Sequence, residues 1–253
     1  MRHLVFLLSL SSVCFFTRSE IADNNFSKCK MFFLNNAPPD FTPPAGVSVK
    51  PICQCLWDDN DQQLYLFATL YSTTWKIPVY SAYLFGSPNI GRCDAWYIEP
   101  QALNSDYKNS GYNKGHLYPV LHTSNHLSML ATSTLTNVAP QKSDFNQNAW
   151  LRHEEAIKED LKSCDEAYVV TGVVPDTEAP KLKNRVTVAK YYWRATCCLK
   201  NNQYTGMGYY GPDKNGEVQK LTITNLKKKL NDVYQICFFP TQYTEDSGDW
   251  VVL

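Results

Sequence analysis

The sequence predicts a single mixed domain of strands and helices, and three observations carry that reading. About 234 residues follow a 19-residue leader without a repeat, a long linker or a low-complexity run, enough for one substantial core. Residues 64–85 (LYLFATLYSTTWKIPVYSAYLF) alternate aromatic and β-branched side chains with polar ones, the pattern of two strands joined by a turn near residues 72–76. From Asn146 to about Lys162, the side chains of Trp150, Ile157 and Leu161 fall on a slanting apolar stripe, as an amphipathic helix requires.

The leader is residues 1–19. A short basic start at Met1-Arg2-His3 precedes thirteen apolar or small residues, and Thr17-Arg18-Ser19 ends in a small residue that suits signal peptidase. Thirteen residues are too few to span a bilayer, and no later stretch is long and apolar enough to do so. A secreted, extracellular protein without a membrane span is therefore expected. Cysteine usage agrees: of nine cysteines, Cys14 leaves with the leader and eight remain, an even number that reads as disulfides with no free thiol. Zinc is the rival reading, but Cys53-Gln-Cys55 and adjacent Cys197-Cys198 lack the usual ligand spacing. The proline-rich residues 37–51, flanked by Cys29, Cys53 and Cys55, read as an extended arm tied down by those cysteines.

Charge excludes one class of function. The chain carries 24 basic and 24 acidic residues, and losing Arg2 and Arg18 with the leader tips the balance to the acidic side. Such a protein is not held to nucleic acid by its overall field, so any polyanion contact must come from a local patch.

Reactive side chains are densest in residues 111–162. Tyr112-Asn113-Lys114-Gly115-His116 has turn chemistry from Asn and Gly. A histidine has the side-chain pKa best suited to accept a proton near neutral pH. Lys114, two residues away, lies on the same side of a locally extended chain and can face a phosphate. Residues 134–136 read as a short strand-like run ended by Asn137, and Pro140 with Ser143-Asp144 as a loop and helix start. Asn146 offers a hard amide oxygen acceptable to Mg²⁺, which keeps most of its waters. Glu154 and Lys158 follow at a step of four along one helix, able to orient water and contact phosphate. His122 and His126 read as ordinary hydrogen-bonded or surface histidines. Arg92, in a loop beside Cys93, is a candidate for a rigidly presented catalytic cation.

Taken together, His116, the segment TLTNVAPQ, then FNQNAW and a following glutamate resemble the DNA/RNA non-specific endonuclease family with its ββα-metal active site. The blocks occur in order, and the similarity covers most of the mature chain. The N-terminal half (FATLYSTTWKIPVYSAY, then WYIEPQAL) and the cysteine-rich character resemble a secreted vertebrate branch of that family. The resemblance implies an α+β fold: a central antiparallel β-sheet flanked by helices, with a ββα-metal finger at one edge. Residues 167–174 and 185–198 then fit two further core strands, and residues 224–230 a late basic helix.

It also implies roles. His116 matches the general base, and Asn146 the single protein ligand to Mg²⁺ (or Mn²⁺). Asn137 matches an active-site asparagine, and Glu154 a carboxylate holding the metal's water shell. Lys158 falls where an arginine is common, and Arg92 loosely matches a transition-state arginine. The implied activity is hydrolysis of DNA and RNA, gripped through phosphate contacts with little sequence preference. The family's Asp-Arg-Gly-His is Asn113-Lys114-Gly115-His116 here, so a planar bidentate donor becomes a point charge and a carboxylate becomes an amide. That departure sets up a second expectation, a secreted binding protein that kept the fold and lost the chemistry.

Overall fold

The computed structural model describes residues 18–21, 25–57, 63–86, 101–239, 243–244 and 251–252. Arg92 lies outside these residues. Strands β1 (Arg18–Ile21), β2 (Asp40–Thr42), β3 (Val49–Trp57), β4 (Gln63–Ser72) and β5 (Ile77–Leu84) precede the site. The two-strand reading of residues 64–85 is borne out in β4 and β5. Helix α1 (Asn104–Tyr107), β6 (Tyr112–His116), α2 (His126–Thr132), β7 (Val138–Lys142) and α3 (Leu151–Leu161) form the middle of the chain. The remainder is β8 (Glu166–Asp176), β9 (Val188–Lys200), β10 (Gln203–Pro212), β11 (Gln219–Leu221), α4 (Ile223–Leu230), β12 (Gln235–Cys237), β13 (Tyr243–Thr244) and β14 (Val251–Val252).

Among the described residues, ten strands join one antiparallel sheet in the order β1-β3-β4-β5-β8-β9-β10-β14-β13, with β11 on β10. The expected α+β class, a central antiparallel sheet with helices on its faces, holds. Arg18 and Ser19, which the sequence assigns to the leader, pair in β1 with Cys55 and Gln54. No helix among the described residues is long and apolar enough to cross a membrane.

Long central strands buried on both faces explain why this sheet can be so wide. In β5 every residue is buried, and β9 is buried along most of its length. Side chains of a strand alternate between faces, so β9 sends Tyr192 and Arg194 one way and Trp193 and Ala195 the other. Behind the sheet lie α4, Tyr234, Phe238 and the N-terminal coil. Helix α4 lies close against β10: a Cβ on Gly208 would collide with Leu226 and crowd the Thr222 carbonyl. Thr222 caps α4 through its side-chain oxygen, which accepts the Asn225 N–H at 3.2 Å. In front lie α2, α3 and the separate ribbon of β6 and β7.

Cystines tie two places. Cys29–Cys53 fastens the coil before the proline-rich arm to β3, and Cys164–Cys198 joins the end of α3 to β9. Cys55 is also disulfide-bonded. The expectation that every cysteine of the mature chain is paired is corrected: Cys197 and Cys237 are free thiols. Cys197 and Cys198 are neighbours on a strand and so face opposite ways. Only Cys198 reaches Cys164, while burial pushes the Cys197 thiol up to about 12, far from reactive.

Candidate active site

The ribbon sets the site. β6 and β7 pair antiparallel, with His116 opposite Val138, Lys114 opposite Pro140 and Tyr112 opposite Lys142. Two sequence expectations are refined here. The histidine's segment is a strand end rather than a turn, and Pro140 belongs to β7 rather than a loop. A two-stranded ribbon has free edges, where a residue without an N–H costs no ladder bond. The strand-like run expected over residues 134–136, ended by Asn137, is instead a 3₁₀ turn over Leu135–Asn137.

Asn137 explains that turn. It is fully buried. Its Oδ1 accepts the Tyr118 N–H at 2.9 Å, and its Nδ2 donates to the carbonyls of Tyr118 and Thr132, both at 2.9 Å. Its own carbonyl accepts the Leu117 N–H at 2.9 Å. The whole amide is thus engaged with backbone, and it locks the chain leaving His116. The residue expected as an active-site asparagine is thus buried, with its amide bonded to the backbone around it.

Gly115 is the other fixed point. A Cβ there would collide with the Gln141 side chain and the Tyr192 hydroxyl. The ribbon therefore lies flat on the sheet at this residue, and the Tyr192 hydroxyl donates to the Ala139 carbonyl at 3.1 Å. Gly115 faces inward, so Lys114 and His116 face outward together.

His116 is half-buried, and its imidazole makes no hydrogen bond among the described residues. Burial lowers its pKa, and the Lys114 charge lowers it further. The ring is therefore neutral near pH 7 and able to accept a proton. Lys114 is exposed, and its ammonium donates to Asn104 Oδ1.

The helical stretch expected from Asn146 begins as a π-helical turn, Phe145–Trp150, and continues as α3. Phe145, Ala149 and Trp150 bury toward the core, and Ile157 and Leu161 carry the stripe onward as expected. Eight residues of pure α-helix separate Asn146 from Glu154 by two turns plus about 80°. A π turn rotates less per residue, which takes up part of that excess and brings the two side chains toward one side. π turns recur at functional sites for this kind of reason.

Glu154 lies above a buried arginine that the sequence reading missed. Arg194 is completely buried. Its Nε donates to Thr171 Oγ1 at 2.9 Å, its guanidinium lies 5.0 Å from the Trp150 ring centroid, and its Nη2 is 3.7 Å from Glu154 Oε1. Neither Nη makes a hydrogen bond among the described residues. Burial raises the Glu154 carboxyl to about 7, and Arg194 opposes that shift. The Trp150 indole N–H also favours the charged carboxylate, although it forms no full hydrogen bond among the described residues. Arg194 had one faint signal: a charged residue inside YYWRATCC, a run otherwise fit for a core strand.

His122 joins the chain after His116 to this helix. Its Nε2 lies 2.9 Å from the Glu154 carbonyl, which can only accept, so Nε2 carries the proton. Its Nδ1 then accepts from the Tyr83 hydroxyl at 2.8 Å. Burial lowers its pKa to about 3, so it is a neutral strut rather than a base. His126 is exposed at the start of α2, which Asn125 caps. Lys158 is half-buried on α3 and close enough to His122 for its charge to be felt there.

Asn146 is half-buried, and its side-chain amide makes no hydrogen bond among the described residues. A free hard oxygen followed along one helix by a carboxylate suits a small, strongly hydrated cation. No group of three or more His, Cys, Asp or Glu side chains that could hold a metal occurs among the described residues.

This arrangement has relatives. The sequence model of the DNA/RNA non-specific endonuclease family matches residues 58–244. The chain belongs to that family. It is 29% identical over 242 residues to the human endonuclease domain-containing 1 protein, covering 81% of this chain and 46% of that one. The nuclease of Nostoc sp. is 33% identical over 129 residues, 51% of this chain and 46% of that protein. This chain thus spans about half the length of these family members. A solved structure titled as the EndoG/EndoGI complex, on the mechanism of EndoG inhibition, superposes with a TM-score of 0.56 at 20% identity. It covers 68% of this chain and 82% of that one, and the likeness establishes the shared fold.

Proposed function

We propose that this protein is a secreted, divalent-metal-dependent endonuclease that hydrolyses phosphodiester bonds of DNA and RNA with little sequence preference. The observation that carries the reading is His116. It is a half-buried imidazole with no hydrogen-bond partner among the described residues, kept neutral by burial and by Lys114, at the rim of a ribbon whose other strand leads directly into the helix of Asn146 and Glu154. A cleaving enzyme needs such an idle base next to a cation that can meet phosphate. Secretion is supported by the leader pattern and by the cystines.

His116 takes a proton from the attacking water, which forms a new P–O bond in line with the bond that breaks. The leaving sugar oxygen is protonated from solvent. Lys114 faces the phosphate's negative charge as a point charge. Asn146 would hold Mg²⁺ or Mn²⁺ through its amide oxygen, with Glu154 ordering the surrounding waters; the bound ion supplies Lewis-acid charge stabilisation to the phosphate. Lys158, and Arg92 by resemblance alone, add charge at the periphery. Asn137 and Arg194 act as positioning residues, the first on the His116 segment and the second on Glu154.

Nicking of supercoiled plasmid by the purified mature protein, titrated with Mg²⁺ and Mn²⁺, tests the reading. Asn146→Ala should raise the metal concentration for half-maximal rate, and an unchanged titration would move the ligand elsewhere. The second reading, a binding protein of the same fold, is favoured by Asn113 and Lys114. It predicts nucleic-acid binding without nicking at any metal concentration.

A further inference from the structure

The ribbon carries a second cation outside the machinery described above. Lys142 ends β7 and stands opposite Tyr112, the first residue of β6. Directly opposed residues of an antiparallel pair project to the same side, so Tyr112, Lys114, His116 and Lys142 share the outward face. Lys142 Nζ sits 3.9 Å from the Tyr112 ring centroid. Both lysines are exposed, and among the described residues neither forms an ion pair.

What holds these ammonium groups is uncharged: an amide oxygen of Asn104 for Lys114, the face of a tyrosine for Lys142. Partners of that kind fix a cation's position without cancelling its charge. The nearby carboxyl, Asp213, spends its Oδ1 on the Lys142 backbone N–H at 2.8 Å; burial pushes it up to about 7, the Lys142 charge opposing that rise without forming an ion pair among the described residues. Along β6, His116 to Lys114 is two residues and Lys114 to the Tyr112–Lys142 pair is two more. Each step is about 6.6–7 Å at the strand rise, comparable to the step between phosphates of an extended strand.

We propose that Lys142, held over Tyr112, is a phosphate subsite of the nucleic-acid groove, continuing from Lys114 away from the scissile bond. The proposal rests on the nuclease reading and adds a site to it. It takes the backbone of a single nucleic-acid strand. Because Lys142 covers the face of Tyr112, the ring positions an ammonium instead of stacking a base, and the subsite is indifferent to sequence.

The test is binding of a 12-nucleotide single-stranded DNA to the mature protein in chelator, so that nothing is cleaved, at several salt concentrations. Each phosphate contact contributes about 0.7 to the slope of log affinity against log salt for single strands. Lys142→Ala should lower the slope by about 0.7 and weaken binding several-fold at low salt. Tyr112→Phe should bind as the parent does, and Tyr112→Leu should lose part of the affinity. Lys227→Ala, on α4 behind the sheet, should change nothing. An unaltered slope in Lys142→Ala would overturn the subsite, as would an equal loss in Lys227→Ala. Equal binding by Tyr112→Leu and the parent would overturn the part given to the ring. Absence of salt-dependent binding by the parent protein would instead defeat the nuclease reading itself.

Discussion

Trp193 and Arg194 are neighbours on β9 that point to opposite faces of one sheet, and their surroundings differ in kind. Behind the sheet, the Trp193 indole donates to the Tyr234 hydroxyl at 2.6 Å, which donates to the Val173 carbonyl at 2.8 Å. Phe238 closes against the Trp193 ring. Every polar atom of that trio has a partner. In front, Arg194 Nη1 and Nη2, the Trp150 Nε1, the His153 Nε2 and both side-chain polar atoms of Gln141 are buried with no hydrogen bond among the described residues. A buried unpartnered polar group costs about 1–3 kcal/mol. The Trp193 side is therefore organised for stability, and the Arg194 side carries an energetic cost beside the proposed site.

The sharpest way to break that contrast is to exchange the consequences of mutation. His116→Ala should lower metal-dependent cleavage by about 10²- to 10⁴-fold, the usual worth of a general base, with a melting temperature close to the parent's. Trp193→Phe should do the reverse, costing about 1–3 kcal/mol in denaturant unfolding while each folded molecule cleaves as before. Should Trp193→Phe depress cleavage at saturating metal, or His116→Ala unfold the chain, the two faces are not separate in function.

Much of this division was readable in advance, for a physical reason. Period-two alternation marks strands wherever they are buried, so residues 64–85 resolved into β4 and β5, and the stripe of Trp150, Ile157 and Leu161 gave the helix. His116 and Asn146 were singled out because the ordered blocks around them resemble the endonuclease family, since a turn histidine or a helix-face amide alone is an ordinary surface group. The rest was illegible because it depends on partners remote in sequence. Nothing local says that Asn137 spends its whole amide on residues 118 and 132. Nothing in YYWRATCC says that its arginine meets a glutamate forty residues earlier. Counting cysteines to an even number misled for the same reason, since strand alternation separates Cys197 from Cys198.

Arg194 is where the front face contributes to stability as well as function, and pH exposes it. Arg194→Met removes one partner of a buried ion pair, a loss of about 3–5 kcal/mol when the other partner stays charged. Glu154 has a raised folded pKa, about 7. A carboxyl raised above its unfolded value loses stabilising effect as pH climbs from the unfolded value through the folded one. Without Arg194 that folded value rises further. Urea unfolding of parent and variant should therefore show a gap that opens as pH climbs past 7, where Glu154 ionises in the parent but stays protonated in the variant, and that closes as pH falls and both protonate. A gap of constant size from pH 5 to 8 would mean that Arg194 acts through packing on Trp150 and not through charge.

The smallest effect lies at the outermost residue, Lys114, where stability should not move at all. A guanidinium presents two parallel donors to two phosphate oxygens and sheds its hydration more cheaply than an ammonium. Lys114→Arg should raise the cleavage rate several-fold, on the order of 1 kcal/mol, because one charge is improved and none is added. Lys114→Gln should lower it and shift the pH profile as well. The Lys114 charge is the second cause of the lowered His116 pKa, after burial. Removing the charge lets that pKa rise toward its ordinary value, so the acid limb of the rate profile should move to higher pH. Keeping the charge as arginine should leave the limb in place while the rate climbs. An acid limb that stays put in Lys114→Gln would separate Lys114 from His116 electrostatically. A faster Lys114→Arg enzyme would still assign the lysine to phosphate.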